Sequence, residues 1–134
     1  MRMKLWLKRL HILVGISALV LFPLTGAYMR RYLADDFAAS ERMRFSMRAN
    51  HMYILFLALP HLLLAAYLRF SDQRWRQRAQ ILGSLLLLSA TILVVGAFAL
   101  ESKQGLERPI TLLAAVFATA GTLIHIFAVW HEQS

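Results

Sequence analysis

Charged residues in this chain fall into clumps, and four long stretches between them contain no Asp, Glu, Lys or Arg: Leu10–Met29, Ala49–Leu68, Ala79–Leu100 and Ile110–Trp130. Each matches the roughly 20 residues that a helix needs to cross the hydrocarbon core of a bilayer. Backbone polar groups in lipid must be satisfied within a helix or within a closed barrel, and barrel strands alternate polar and apolar positions. These stretches do not alternate. The pattern predicts an all-α integral membrane protein, a four-helix transmembrane bundle running up-down-up-down as one domain over residues 1–134.

The connecting segments carry their own signals. Arg2, Lys4, Lys8 and Arg9 precede the first stretch, which is longer than the 7–15 residues of a signal-peptide core. Pro23-Leu24-Thr25-Gly26-Ala27 is a poor cleavage site, so an uncleaved first helix is expected. In the first loop, Arg30 to Arg48, Ser40 can cap a helix that begins outside the membrane, with Phe37, Met43 and Met47 resting on the bilayer surface. The segment Phe70–Arg78 reads as a short basic hairpin that makes the second and third helices antiparallel neighbours. Pro109 suits the first turn of the last helix, where no N–H is required. The third stretch is Leu-rich with Gly83, Ser84, Ser89, Thr91 and Gly96 but no titratable side chain, which predicts a scaffold helix.

Composition narrows the function classes. The chain is 59% hydrophobic, and its length is consumed by the four helices. With no cysteine there is no disulfide, thiolate ligand or cysteine nucleophile. The formal charge of +8 flanks the apolar runs, so its partner is anionic lipid rather than nucleic acid. With the N-terminus inside, eight basic residues lie on the inner side and seven on the outer. The four cations before the first helix favour N- and C-termini in the cytoplasm, with Trp6, Trp75 and Trp130 at the inner interface.

Four of the five histidines fall inside the apolar stretches, and they are the chemical handle. An ionisable side chain within a span is costly and faces the bundle interior. Neutral imidazole offers either a hydrogen bond or a metal ligand. His11 shares a helix face with Gly15, Ala18, Thr25 and Gly26, and His125 shares one with Gly121, Ala118 and Ala114. Such small-residue stripes admit either a neighbouring helix or a flat macrocycle. His61 lies on the face of Asn50, Ile54, Leu57 and Ala65, either as a ligand or as a donor to the carbonyl that Pro60 frees. His51 lies about 15 Å away along the same helix, so it cannot share a metal with His61; it is either an outer ligand or a surface residue. His131, in the tail, reads as solvated.

The spans carry no carboxylate and the chain no His-Glu-x-x-His, which disfavours ion coupling and zinc proteolysis. Bis-histidine haem fits better: haem iron accepts imidazoles from facing helices of a bundle. Without Cys-x-x-Cys-His the haem is non-covalent, of b type. His11, His61 and His125 are the candidate cofactor and metal ligands at the inner side, with His51 a further cofactor candidate. Ser17, Thr122 and Asn50 are candidates to hold the second ring nitrogens.

Lys8-Arg9-Leu10-His11-Ile12-Leu13-Val14-Gly15 followed by Leu24-Thr25-Gly26 resembles the opening helix of PepSY-associated transmembrane proteins, a group that includes membrane reductases of siderophore iron. The resemblance covers residues 8–30. It implies a haem-bearing four-helix unit that moves electrons across the bacterial inner membrane, with His11 as a ligand. The expectation is thus a small b-type haem protein for electron transfer or for anchoring a redox partner, taking electrons from quinol or a partner protein. The main rival is a non-catalytic accessory subunit of a larger membrane complex, whose histidines only bond between helices. A small transporter or a haem-using biosynthetic membrane enzyme is the third reading.

Overall fold

The computed structural model describes residues 2–101 and 107–130, with side chains described from Leu5 to Glu101 and from Glu107 to Ala128. Its elements are α1 (Arg2–Tyr32), α2 (Ala34–Ala39), α3 (Glu41–Tyr67), α4 (Arg74–Leu100) and α5 (Pro109–Trp130). All but α2 are long and apolar enough to cross a membrane, and they correspond in order to the four predicted spans. The chain is an integral membrane protein of four long helices. The Trp130 side chain and His131 lie outside the described residues.

The helices overrun the uncharged stretches at several ends. α4 begins at Arg74, so most of the expected basic hairpin is helical and the turn is confined to residues 68–73. That turn is tied by Gln80, which is fully buried. Its side-chain amide donates to the Arg69 carbonyl (2.9 Å), and its oxygen accepts from the Ser71 N–H (3.1 Å). Ser40 caps α3 as expected, its hydroxyl accepting from the Met43 N–H at 3.3 Å. Pro109 opens α5 in the tolerated first position.

Packing is pairwise. α1 lies along α3, α4 lies along α5, and the two pairs join chiefly through α3 and α4. On α3 the buried residues Met47, Asn50, Ile54, Leu57, Ala58 and His61 recur at three- and four-residue intervals, a single helix face. α4 shows the same rhythm from Arg76 through Gln80, Ser84, Leu87, Thr91 and Val94 to Phe98. The opposite faces expose Leu13, Ile16, Phe56, Leu63, Ile92 and Leu112, as hydrocarbon solvent permits. Around α2 the expectation needs correction. Met47 is buried, and Phe37 and Met43 pack against the core rather than lying on the bilayer surface. From the short α2, Phe37 packs onto the core beside buried Leu33.

The small-residue stripes are seams between helices. A Cβ on Gly121 would stand 2.7 Å from the Gly83 carbonyl oxygen, and one on Gly83 would stand 2.9 Å from the Gly121 oxygen. Both are closer than real Cβ atoms come, so α4 and α5 cross backbone to backbone here. A Cβ on Gly15 would meet the Leu62 side chain at 2.8 Å. Gly96 has nothing within 4 Å of that position.

Candidate functional site

α1 and α3 run antiparallel, which brings His11, near the start of one, level with His61, in the later half of the other. Both are fully buried. Their Nδ1 atoms stand 2.7 Å apart, and His61 Nε2 stands 2.8 Å from Thr91 Oγ1 on α4. Three helices therefore meet through one chain of hydrogen bonds.

The direction of that chain can be worked out. Thr91 has one hydroxyl proton and gives it to the Leu87 carbonyl of its own helix (3.2 Å). Its oxygen therefore accepts from His61 Nε2–H. Both rings are neutral, because an unpaired cation buried in hydrocarbon is prohibitively costly and the apolar stretches contain no carboxylate. A neutral His61 protonated at Nε2 has its lone pair on Nδ1, so His11 donates its Nδ1–H into that contact. The remaining nitrogen of His11, Nε2, carries a bare lone pair, is buried, and has no hydrogen-bond partner. Both nitrogens of His61 are engaged, so His61 orients His11 and bonds neither to the carbonyl freed by Pro60 nor outward.

His125 sits on α5, facing α4. Its Nε2 is 3.1 Å from Ser84 Oγ, and its Nδ1 is a second buried ring nitrogen without a partner. Gly83 gives this ring room: a Cβ there would meet His125 Cδ2 at 3.0 Å. Among the described residues no group of three or more His, Asp or Glu side chains is gathered to hold a bare metal ion. His11 and His61 touch each other, and His125 is held separately by α4.

His51 belongs to another layer. It stacks on Phe22 with ring centroids 4.1 Å apart and planes 13° from parallel. Thr25 Oγ1 lies 2.9 Å from its Nδ1 and gives its own proton to the Leu21 or Phe22 carbonyl (2.8 and 2.9 Å). The Thr25 oxygen accordingly accepts from His51 Nδ1–H, leaving the lone pair on Nε2 above Gly26. His51 is thus a half-buried interhelical residue with one free nitrogen.

The residues that orient the rings are Thr91, Ser84 and Thr25, not the expected set. Ser17 is exposed, Thr122 bonds back to the Ala118 carbonyl at 2.8 Å, and Asn50 is occupied elsewhere. The third span is therefore more than a scaffold. Ser84 and Thr91 are seven residues apart, two turns on one face, and they supply hydroxyls to two different histidines.

A planar macrocycle can be tested against these residues. The donors suit it: His11 Nε2 and His125 Nδ1 are buried, unpartnered ring nitrogens from different helix pairs. The slot between His11 and His61 does not, since the rings are in contact and Gly15 is filled by Leu62.

A second polar cluster, which the sequence reading missed, lies at the end of the bundle away from His11 and His61. Glu101 caps the N-terminus of α5, accepting from the Ile110 N–H, from the Thr111 N–H (2.9 Å) and from the Thr111 hydroxyl (2.6 Å). Burial pushes its carboxyl pKa up, but those hydrogen bonds and the nearby Arg108 charge outweigh burial and hold it below the ordinary value. Arg108 donates to Asn50 Oδ1, joining the start of α5 to α3. Glu101 lies nine residues before Ile110 in sequence, and no local capping motif announces it. Compared with known proteins, the chain matches no family model, no curated protein and no solved structure.

Proposed function

We propose that this chain is a small b-type haem membrane protein that carries electrons or anchors a redox partner, with His11 and His125 as the residues that would hold the haem. The observation that supports this reading is the bare, enclosed Nε2 of His11, whose other nitrogen is fixed by His61 and, through it, by Thr91. A ligating histidine characteristically has its second N–H held by a hydrogen bond, which sets the tautomer and raises ligand basicity. An unsatisfied acceptor in a dry bundle otherwise costs about 1–3 kcal/mol. Haem bound there would supply one-electron chemistry. The chain's own residues select the tautomer of His11, keep water from it, and hold His125 through Ser84. His61 acts as a positioning residue in this scheme, and His51 with Thr25 and Phe22 is a separate outer candidate. By the same proposal the protein belongs to a bacterial inner membrane with both termini cytoplasmic. Since the chain has no cysteine, single cysteines at Gln73 and Ala38 can be labelled selectively from either side to test this.

The test is a reduced-minus-oxidised visible spectrum of the detergent-purified protein. The expected result is a sharp b-type α-band that is lost in His11→Ala and weakened or shifted in His61→Ala. A specific observation favours the rival reading of an accessory subunit of a larger membrane complex: four histidines already bond between helices or stack there, and Gly83 and Gly121 are consumed by helix packing. A colourless wild-type protein that takes up no added haemin would decide for that rival.

A further inference from the structure

We infer that the groove between α3 and α5 is a binding site for a neutral isoprenoid quinone, its ring at the Arg108 end and its tail running inward between the helices. The cavity there is about 650 Å³ and is walled by Tyr53, Phe56 and Pro60 from α3 and by Ala115, Ala118 and Thr122 from α5. From Thr111 to Leu123 the groove follows about 18 Å of helix, more than half the hydrocarbon thickness. That is a path for a single flexible chain. Ala114, Ala115 and Ala118 leave the middle of the α5 wall low.

The Arg108 end decides the headgroup. Arg108 and Thr111 line it, and the Nε–H of Arg108 is a buried donor with no partner. One Arg108 nitrogen is spent on Asn50, and Glu101 lies in the same network, through the Thr111 hydroxyl that contacts both its carboxylate and Asn50 Oδ1. A cation so engaged offers a hydrogen bond, which suits a carbonyl acceptor better than a phosphodiester. Tyr53 and Phe56 are 41% and 59% exposed at this wall and give it aromatic surface on which a flat ring can pack. A phospholipid brings a full negative charge and a second tail, whereas the groove offers a guanidinium already committed in part to Asn50 and a single lengthwise path. These residues are distinct from the histidine set, so the inference stands apart from haem binding.

The test uses the full-length protein purified in detergent from quinone-containing bacterial membranes. Co-purifying quinone and phospholipid are quantified after organic extraction, and binding of added decylubiquinone is followed by quenching of aromatic fluorescence. The expected result is quinone near one per chain and saturable decylubiquinone binding, weakened at least tenfold in Ala118→Phe and in Arg108→Leu. Gly96→Ala, on a face with no neighbour, should bind as wild type. Ala118→Phe decides the matter if loss of the Asn50 contact prevents Arg108→Leu from folding. Phospholipid as the sole co-purifying lipid with no saturable decylubiquinone binding would overturn the inference, as would undiminished binding by Ala118→Phe. The visible spectrum of the same sample separates the two proposals, since a colourless protein that binds decylubiquinone removes the haem and leaves the groove.

Discussion

Replacing Thr91 by Val probes the hydrogen-bond chain at its anchored end. The two side chains are nearly the same shape, so packing against Leu87 and the surrounding core is preserved while one oxygen is removed. His61 Nε2–H then loses the Thr91 oxygen at 2.8 Å and keeps only the Leu87 carbonyl as an acceptor. The Leu87 carbonyl loses only a supplementary donor, because its helical partner remains. A buried donor left unsatisfied costs about 1–3 kcal/mol, whereas coupling energies between polar side chains in membrane helices average about 0.6 and reach about 1.7 kcal/mol. The bonded pair here is enclosed, but the Leu87 carbonyl still accepts from His61, which places the expected loss at about 0.5–1.5 kcal/mol, roughly two- to tenfold in the folding equilibrium. The assay is reversible unfolding in mixed detergent, run as a double-mutant cycle with His61→Phe. A coupling of about 0.5–1.5 kcal/mol is expected. Additive single effects would refute the assigned bond, and with it the direction of the whole chain.

Four other substitutions have defined outcomes. Gly121→Ala should destabilise the α4–α5 seam by about 1–3 kcal/mol in the same unfolding assay, because its Cβ would meet a backbone oxygen at 2.7 Å; Gly96→Ala should be neutral or slightly stabilising. Glu101 has a lowered carboxyl pKa in the fold, so its stabilising effect is present above the unfolded value of about 4.3 and is lost as pH falls through the folded value. Unfolding midpoints at pH 7 and pH 4 should therefore converge for Glu101→Gln relative to wild type. Thr25→Val should free the His51 ring from its fixed tautomer, read as a changed histidine ¹⁵N shift for that residue while the signals of His11 and His61 stay in place.

Much of the architecture was legible because membrane constraints are severe. Length and absence of charge locate all four spans, and the three- and four-residue rhythm on the second span correctly puts Asn50, Ile54, Leu57 and His61 on one inward face. The histidine layer was legible too, since antiparallel helices of known length bring His11, His61 and His125 toward one side of the membrane, though not which of them touch. Which hydroxyls hold the rings was not. Thr91 and Ser84 look like ordinary small packing residues until the rotation of α4 against α3 and α5 is known, and no single-helix pattern encodes that angle. The stripes around Gly15 and Gly121 were equally ambiguous, because a close helix and a flat ring ask the same thing of a sequence. Only the neighbours Leu62 and Gly83 distinguish them. Glu101 was missed for a simpler reason: it caps a helix that begins across a connecting loop, and its partners become adjacent only when that loop closes.

The most direct measurement is histidine ¹⁵N NMR on the protein in lipid bilayers, with and without added haemin, using His11→Ala and His61→Ala to assign the signals. The account predicts that His11 is protonated at Nδ1 with a free, strongly deshielded Nε2, that His61 carries the opposite tautomer, and that haemin moves the His11 Nε2 resonance first. Finding His11 protonated at Nε2, or finding its resonances untouched by haemin at saturation, would contradict it.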